Sequence, residues 1–171
     1  MRSSVNAAVL SLVIERPSYG GEIGRRFEER YDGLFDSRPQ HMYKALDDLE
    51  EDGLIEPWFV EDEHGLERDG YRATASGARA YQAWLRSRIR PSKRIREEVL
   101  IRFASTRPED VETVEYLLDC YQQAVMAFAA VPRIRTDNLV ERALDKERQT
   151  LADGTLRWIA WARDELRTRT P

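Results

Sequence analysis

The chain has 171 residues, 42 % of them hydrophobic, one cysteine and a formal net charge of −4. That is enough apolar material for one domain or two small ones, while one cysteine excludes an intramolecular disulfide framework. No apolar run approaches the roughly 20 residues that span a bilayer, and the N-terminus lacks a signal-peptide succession, so the expected compartment is the cytoplasm, away from any membrane.

Residues 5–15 are apolar nearly all round, as expected of a central helix packed on several sides. Arg16-Pro17 breaks it, and Ser18 is placed to cap a second helix in which Ile23, Phe27 and Tyr31 recur at every fourth position. Gly20-Gly21 at its start suits close helix packing better than a phosphate loop, since no strand precedes it as such a loop requires. Asp32-Gly33 ends the second helix.

Ser37 to Gly53 reads as a complete third helix. Ser37 caps it, Gln40 completes a capping box, Pro39 occupies the first turn and Gly53 supplies the stop. Met42, Ala45, Leu46 and Leu49 share an apolar face. The opposite face is uneven along its length: Arg38, Gln40, His41, Tyr43 and Lys44 come first, then Asp47, Asp48, Glu50, Glu51 and Asp52. Carboxylates late in a helix oppose its dipole. A donor-rich first half on a short capped helix is what a groove-reading helix presents to DNA.

After Gly53 the period changes. Leu54–Val60 and Gly70–Thr74 suggest two strands, joined by a long polar tip centred on Gly65. Thr74-Ala-Ser-Gly then opens a helix with Ala78, Tyr81, Trp84 and Leu85 on one face, running to about Arg90 before Pro91.

Three helices, a strand, a hairpin tip and a strand make a winged helix, a helix-turn-helix variant whose third helix enters the major groove. Three motifs in the right order resemble the PadR family of transcriptional regulators: Pro17-Ser-Tyr-Gly-Gly-Glu-Ile, Met42-Tyr-Lys-Ala-Leu-Asp-Asp-Leu-Glu-Glu-Asp-Gly-Leu-Ile, and Tyr71-Arg-Ala-Thr-Ala-Ser-Gly. The likeness covers roughly residues 5–90. It implies a dimeric DNA-binding repressor whose third helix is residues 38–52, with Tyr43 and Lys44 carried over as DNA contacts. Chemically, Tyr43 offers a hydroxyl to a phosphate, Lys44 and Arg38 offer charge, Gln40 offers a bidentate amide suited to adenine, and His41 flanks them. Tyr19 is placed to add a backbone contact. The wing departs from the basic character usual in relatives: Glu61, Asp62, Glu63, Glu67 and Asp69 outnumber His64 and Arg68, which leaves Arg68 and the Gly65 backbone as its candidate contacts.

Charge argues the other way, since phosphate contacts want a basic footprint. Residues 1–90 carry net −4 and residues 91–171 carry 0, so a DNA-binding surface is a local patch in an acidic domain. The alternative is a winged helix serving as a protein-interaction module without DNA.

Beyond Pro91 the chain reads as wholly helical, over residues 93–105, 109–131 and about 137–167. The last helix is about 45 Å long and carries Leu144, Leu151 and Trp158 at seven-residue spacing, with Val140 and Leu166 extending the seam. Such a seam wants a partner helix, which suits the dimerising role that the resemblance implies for this half. Gly154 marks a bend or a close approach. Phe103, Tyr121, Phe128, Trp158 and Trp161 are the candidates to wall an apolar effector pocket, against the plainer reading as core or interface.

The expectation is a mainly α protein: a winged helix with a two-stranded β wing over residues 1–90, then an all-helical dimerisation domain over 91–171. No catalytic group, cofactor or metal site is expected: His41 and His64 sit in different elements, and Cys120 reads as a buried packing residue. The partners expected are double-stranded DNA, a second copy of the chain and a small-molecule effector.

Overall fold

The computed structural model of the chain describes residues 1–35, 39–62, 64–89, 95–107, 109–130 and 138–169. The element order is α1 (Ser4–Glu15), β1 (Ser18–Tyr19), α2 (Gly20–Tyr31), α3 (Pro39–Glu51), β2 (Ile55–Glu61), β3 (Glu67–Ala73), α4 (Ala75–Leu85), α5 (Ile95–Ser105), α6 (Val111–Ala129) and α7 (Leu139–Arg169). The chain forms two compact units, Met1–Ser87 with Leu100–Arg107, and Arg88–Val99 with Pro108–Pro171. None of the helices among the described residues is long and apolar enough to cross a membrane.

In the first unit α1 is the central element. Ser3 caps it by accepting from the Asn6 N–H at 3.2 Å, and Ala8, Val9, Leu10, Leu12 and Val13 are buried around its circumference. The core adds Ile23 and Phe27 from α2, Met42, Leu46 and Leu49 from α3, Leu54 and Ile55, and Tyr81 and Leu85 from α4. Each helix thus buries one stripe against a helix buried on all sides.

The wing has three strands where the sequence predicts two. The order is β1-β3-β2, antiparallel, with Ser18 opposite Tyr71 and Tyr19 opposite Gly70. Ser18 is therefore a strand residue and does not cap α2; Tyr19 occupies the cap position without a side-chain bond. Gly70 makes the pairing possible, because a Cβ there would lie 2.8 Å from the Ser18 carbonyl oxygen. The fourth helix is also shorter than expected, ending at Leu85 rather than near Arg90.

Gly53 closes α3 as anticipated, with φ +65°. Its N–H bonds the Glu50 carbonyl at 2.9 Å and the Leu54 N–H bonds the Leu49 carbonyl at 2.8 Å, the paired pattern of a left-handed helix stop. Thr74 then ties that stop to α4. Its hydroxyl meets the Gly53 carbonyl at 2.8 Å and accepts from the Gly77 N–H at 3.0 Å.

The return of Leu100–Arg107 to the first unit rests on buried polar groups. Tyr31 Oη lies 2.8 Å from both Ser11 Oγ and Ser105 Oγ, Tyr81 donates to the Ser105 carbonyl, and Arg102 donates to the Leu85 and Ser87 carbonyls at 3.0 and 2.7 Å. Burial pushes the Tyr31 and Tyr81 hydroxyls above the usual tyrosine range, so both remain neutral donors.

In the second unit α6 and α7 pack on each other through Leu117, Leu118, Tyr121 and Val125 on one side and Ala152 and Ile159 on the other. Tyr121 meets Trp158 edge-on with centroids 6.3 Å apart, and Arg163 reaches Asp119 and Gln122. Gly154 lies within the continuous helix, and a Cβ there would meet nothing within 4 Å, so no close approach of another described residue requires it.

Candidate nucleic-acid interface

The exposed side of α3 follows from its buried side. Met42, Ala45, Leu46 and Leu49 are at most 4 % exposed, so at 100° per residue Gln40, His41, Tyr43, Lys44 and Asp47 project to solvent, as observed. Tyr43 is 52 % exposed. Its ring edge rests over Gly20 of α2, where a Cβ would sit 3.4 Å from Cε1. That is ordinary van der Waals distance, so the ring packs beside α2 while much of the residue stays open to solvent. Tyr19, half-buried beside β3, stands at the start of α2 next to the same region. The Arg38 and Ser37 assignments lie outside the described residues.

The acidic end of α3, puzzling against the helix dipole, has a structural partner. The Arg2 guanidinium spans three carboxylates, at 3.0 Å to Asp48, 2.9 Å to Glu51 and 2.6 Å to Asp52. Lys44 Nζ reaches back to Asp48 at 3.1 Å, and chiefly for that reason the Asp48 carboxyl stays below its ordinary range. Arg2 is itself pushed above the usual arginine range, first by Asp52. The result is a polarised helix: donors and an aromatic hydroxyl on its first two turns, an acidic cluster only partly compensated by Arg2 on its last. Sequence reasoning missed Arg2, whose contacts lie 46 to 50 residues away.

The tip of the wing is organised by Asp62. Its carboxylate accepts from the His64 and Leu66 N–H groups, both at 2.9 Å, and from Arg68 Nε at 2.9 Å, while Gly65 turns the chain at φ +74°. Arg68, the candidate wing contact, is thus already paired, though its side chain is 54 % exposed. The Asp62 carboxyl is held below its usual range, first by the Leu66 N–H, with Arg68 and the His64 N–H adding. A depressed carboxylate contributes stability above its unfolded pKa of about 4 that disappears as pH falls through the folded value. The tip is therefore expected to hold unchanged down to about pH 5 and to open on further acidification. The Leu66 amide resonance, followed by NMR during acid titration, reads this directly; an opening at neutral pH would refute the role of Asp62.

Along α7, Val140, Leu144 and Leu151 are 66, 65 and 60 % exposed, while Trp158 and Leu166 are half-buried. Val140, Leu144 and Leu151 are thus left open to solvent within one chain, whereas Trp158 edges Tyr121 of α6. The effector-pocket candidates are divided between the two units. Phe103 belongs to the first unit; in the second, Tyr121 and Trp158 touch, Phe128 lies under Arg148 with 6.0 Å to the ring centroid, and Trp161 is 58 % exposed. Cys120 is half-buried within α6. Among the described residues no three His, Cys, Asp or Glu side chains are grouped so as to hold a metal ion.

Comparison with known proteins bears on the first unit above all. The model of the Transcriptional regulator PadR-like family matches residues 9–83. An uncharacterised protein of Lysinibacillus sphaericus is 27 % identical over 77 residues, which is 45 % of this chain and 71 % of the relative. A transcriptional regulator from Clostridium thermocellum is similar in structure at 32 % identity, with 45 % of this chain and 74 % of that one covered and a TM-score of 0.38. Bacillus subtilis PadR in complex with operator DNA is similar over 98 % of this chain and 99 % of its own, at 16 % identity and a TM-score of 0.47.

Proposed function

Because the chain belongs, through residues 9–83, to the PadR-like family of transcriptional regulators, we propose that it is a sequence-specific DNA-binding repressor. It acts as a homodimer on a pseudo-palindromic operator and is released by a small-molecule effector. The observation that carries this reading is the outward first half of α3, where Gln40, His41, Tyr43 and Lys44 project from a helix whose other face is core. In this reading residues 1–90 bind DNA and residues 91–171 dimerise.

Each exposed group has a task that its chemistry suits. Gln40, in the first turn of α3, offers donor and acceptor together to an adenine edge. Lys44 exchanges its bond to Asp48 for a phosphate; a surface pair of this kind is weak enough to be given up. The Tyr43 hydroxyl donates to a phosphate, with Tyr19, His41, Arg38 and Arg68 supplying flanking contacts. Arg2 serves the interface indirectly, by offsetting part of the negative charge of carboxylates that repel the backbone from the helix end.

The test is selection of bound duplex from a genomic fragment pool, followed by titration of the selected site. Tyr43→Ala and Lys44→Ala are each expected to weaken binding roughly tenfold, and Lys44→Ala to reduce the salt slope by about one ion. Circular dichroism and dimer mass should stay unchanged, since both side chains are exposed. Unaltered affinity in both variants would sink the assignment of the reading face, and failure to retain any duplex at low salt would favour the protein-interaction reading.

A further inference from the structure

One face of the wing is apolar towards its base and acidic towards its tip. Successive strand residues point to opposite faces, so the register sets Pro57 opposite Tyr71, Phe59 opposite Asp69 and Glu61 opposite Glu67 on the same side of the sheet. Pro57, Phe59 and Tyr71 line an open cleft of about 430 Å³, together with Asp69 and with Glu50 of α3. Phe59 is 70 % exposed, so its ring is open to solvent, unlike the rings packed in the core.

Both basic residues of β2 and β3 lie on the opposite face of the sheet. There Arg72 stands 3.6 Å from the centre of the Trp58 ring and donates to Glu56 at 2.9 Å, and Arg68 is held by Asp62. The negative field of the acidic face reaches Tyr71, whose hydroxyl is pushed above the usual tyrosine range, first by partial burial and then by the Glu50 and Asp47 carboxylates. Glu61 and Glu67, directly opposite each other, form a like-charge pair that costs the hairpin stability. A cation seated between them would remove that cost.

We propose that this face docks a basic segment of another protein, one that sets an aliphatic or aromatic side chain against Phe59 and lysine or arginine against Asp69, Glu67 and Glu61. Burial of the ring supplies affinity, and the carboxylates select by charge. DNA phosphates would be repelled here, and a second copy joined by two-fold symmetry would bring the same carboxylates against each other. Docking of this kind does not depend on what α3 reads, and it gives the acidic wing a task other than touching DNA.

Three blocked peptides test the face: Lys-Lys-Leu-Lys-Lys, Lys-Lys-Ser-Lys-Lys and Glu-Glu-Leu-Glu-Glu, each titrated into the full chain without DNA while amide resonances are followed by NMR. The first is expected to shift the Phe59, Asp69 and Tyr71 amides saturably, the second to bind roughly fivefold more weakly, and the third to leave them in place. Phe59→Ser, at an exposed position, should weaken the first peptide about tenfold. Glu67→Gln with Asp69→Asn should weaken it about fivefold, whereas Glu112→Gln with Glu115→Gln, which removes equal charge from exposed positions of α6, should leave it unchanged. Absence of a saturable shift with the first peptide would overturn the site. Equal binding of the two lysine peptides, or equal losses in the two double variants, would overturn it too, by showing that overall charge alone attracts them. A lower molecular mass for Phe59→Ser would assign the face to a second copy, and displacement of the same amides by random-sequence duplex would assign it to DNA; either result refutes a protein partner here.

Discussion

Gly77→Ala is expected to destabilise the first unit by about 3 kcal/mol, the upper end of what a forced extra methyl costs in a packed core. A Cβ at this position would fall 2.1 Å from the Leu54 carbonyl oxygen and 3.4 Å from Leu10 Cδ1. The first neighbour is backbone, and that backbone is held: the same Leu54 carbonyl accepts from the Thr74 N–H at 3.1 Å and from the Thr74 hydroxyl at 3.2 Å. Relief requires α4 to move away from the stop of α3, which breaks the Thr74 bridge and loosens the packing of Tyr81 and Leu85. Thermal unfolding should show a fall of roughly 6–12 °C, and the variant should lose DNA affinity at temperatures where wild type is still bound. Gly154→Ala is the matched control. Its Cβ would enter open space inside a helix, so it is expected to raise the melting temperature, consistent with about 1 kcal/mol between glycine and alanine in a helix interior. A harmless Gly77→Ala would show that α4 is not pinned by this contact.

The glycine in the Tyr71-to-Gly77 motif also illustrates how far the sequence could be read. Periodicity placed α1, α2, α3 and the wing, because each of these elements buries one face against a common core and so repeats its apolar residues at its own period. Gly53 and Thr74 were readable for the same local reason: stops and caps act within four residues. What escaped was non-local. A two-residue strand has no period, and β1 exists only because Ser18 and Tyr19 pair with residues more than 50 positions later, past a glycine that lets the chains close up. Arg2 escaped likewise, although the crowd of carboxylates at Asp48, Glu51 and Asp52 was a signal that some cation had to be near. The Ser105 and Arg102 contacts with the first unit were hidden in a helix whose apolar spacing gave no sign that its polar residues would be buried. The exposed face of α3 was legible because exposure is the complement of the buried stripe. Its contacts with DNA were not, since they depend on a partner's shape.

Changing Leu144 and Leu151 together to glutamate is expected to convert the protein to monomers and to reduce operator affinity by a hundredfold or more. Both side chains are over half exposed, so the substitutions cost the isolated chain little. Deleting α7 would be a poorer test, because Ala152 and Ile159 cover Leu117, Leu118 and Tyr121 and their loss would strip the core of the second unit. In a homodimer with two-fold symmetry each leucine meets the same surface on its partner, so four carboxylates enter one apolar seam and repel across it. Two linked winged helices bind paired half-sites with an effective concentration that multiplies affinity by about 10² to 10⁴; separated, each half-site must be held by one α3 alone. Sedimentation at micromolar protein and titration of a full and a half operator separate the two effects. The variant should bind the half-site as wild type does and lose only the advantage of the full site. A variant that stays dimeric would place the seam elsewhere than on Val140, Leu144 and Leu151, and one that is monomeric yet binds the full operator at wild-type affinity would show that a single copy suffices to read it.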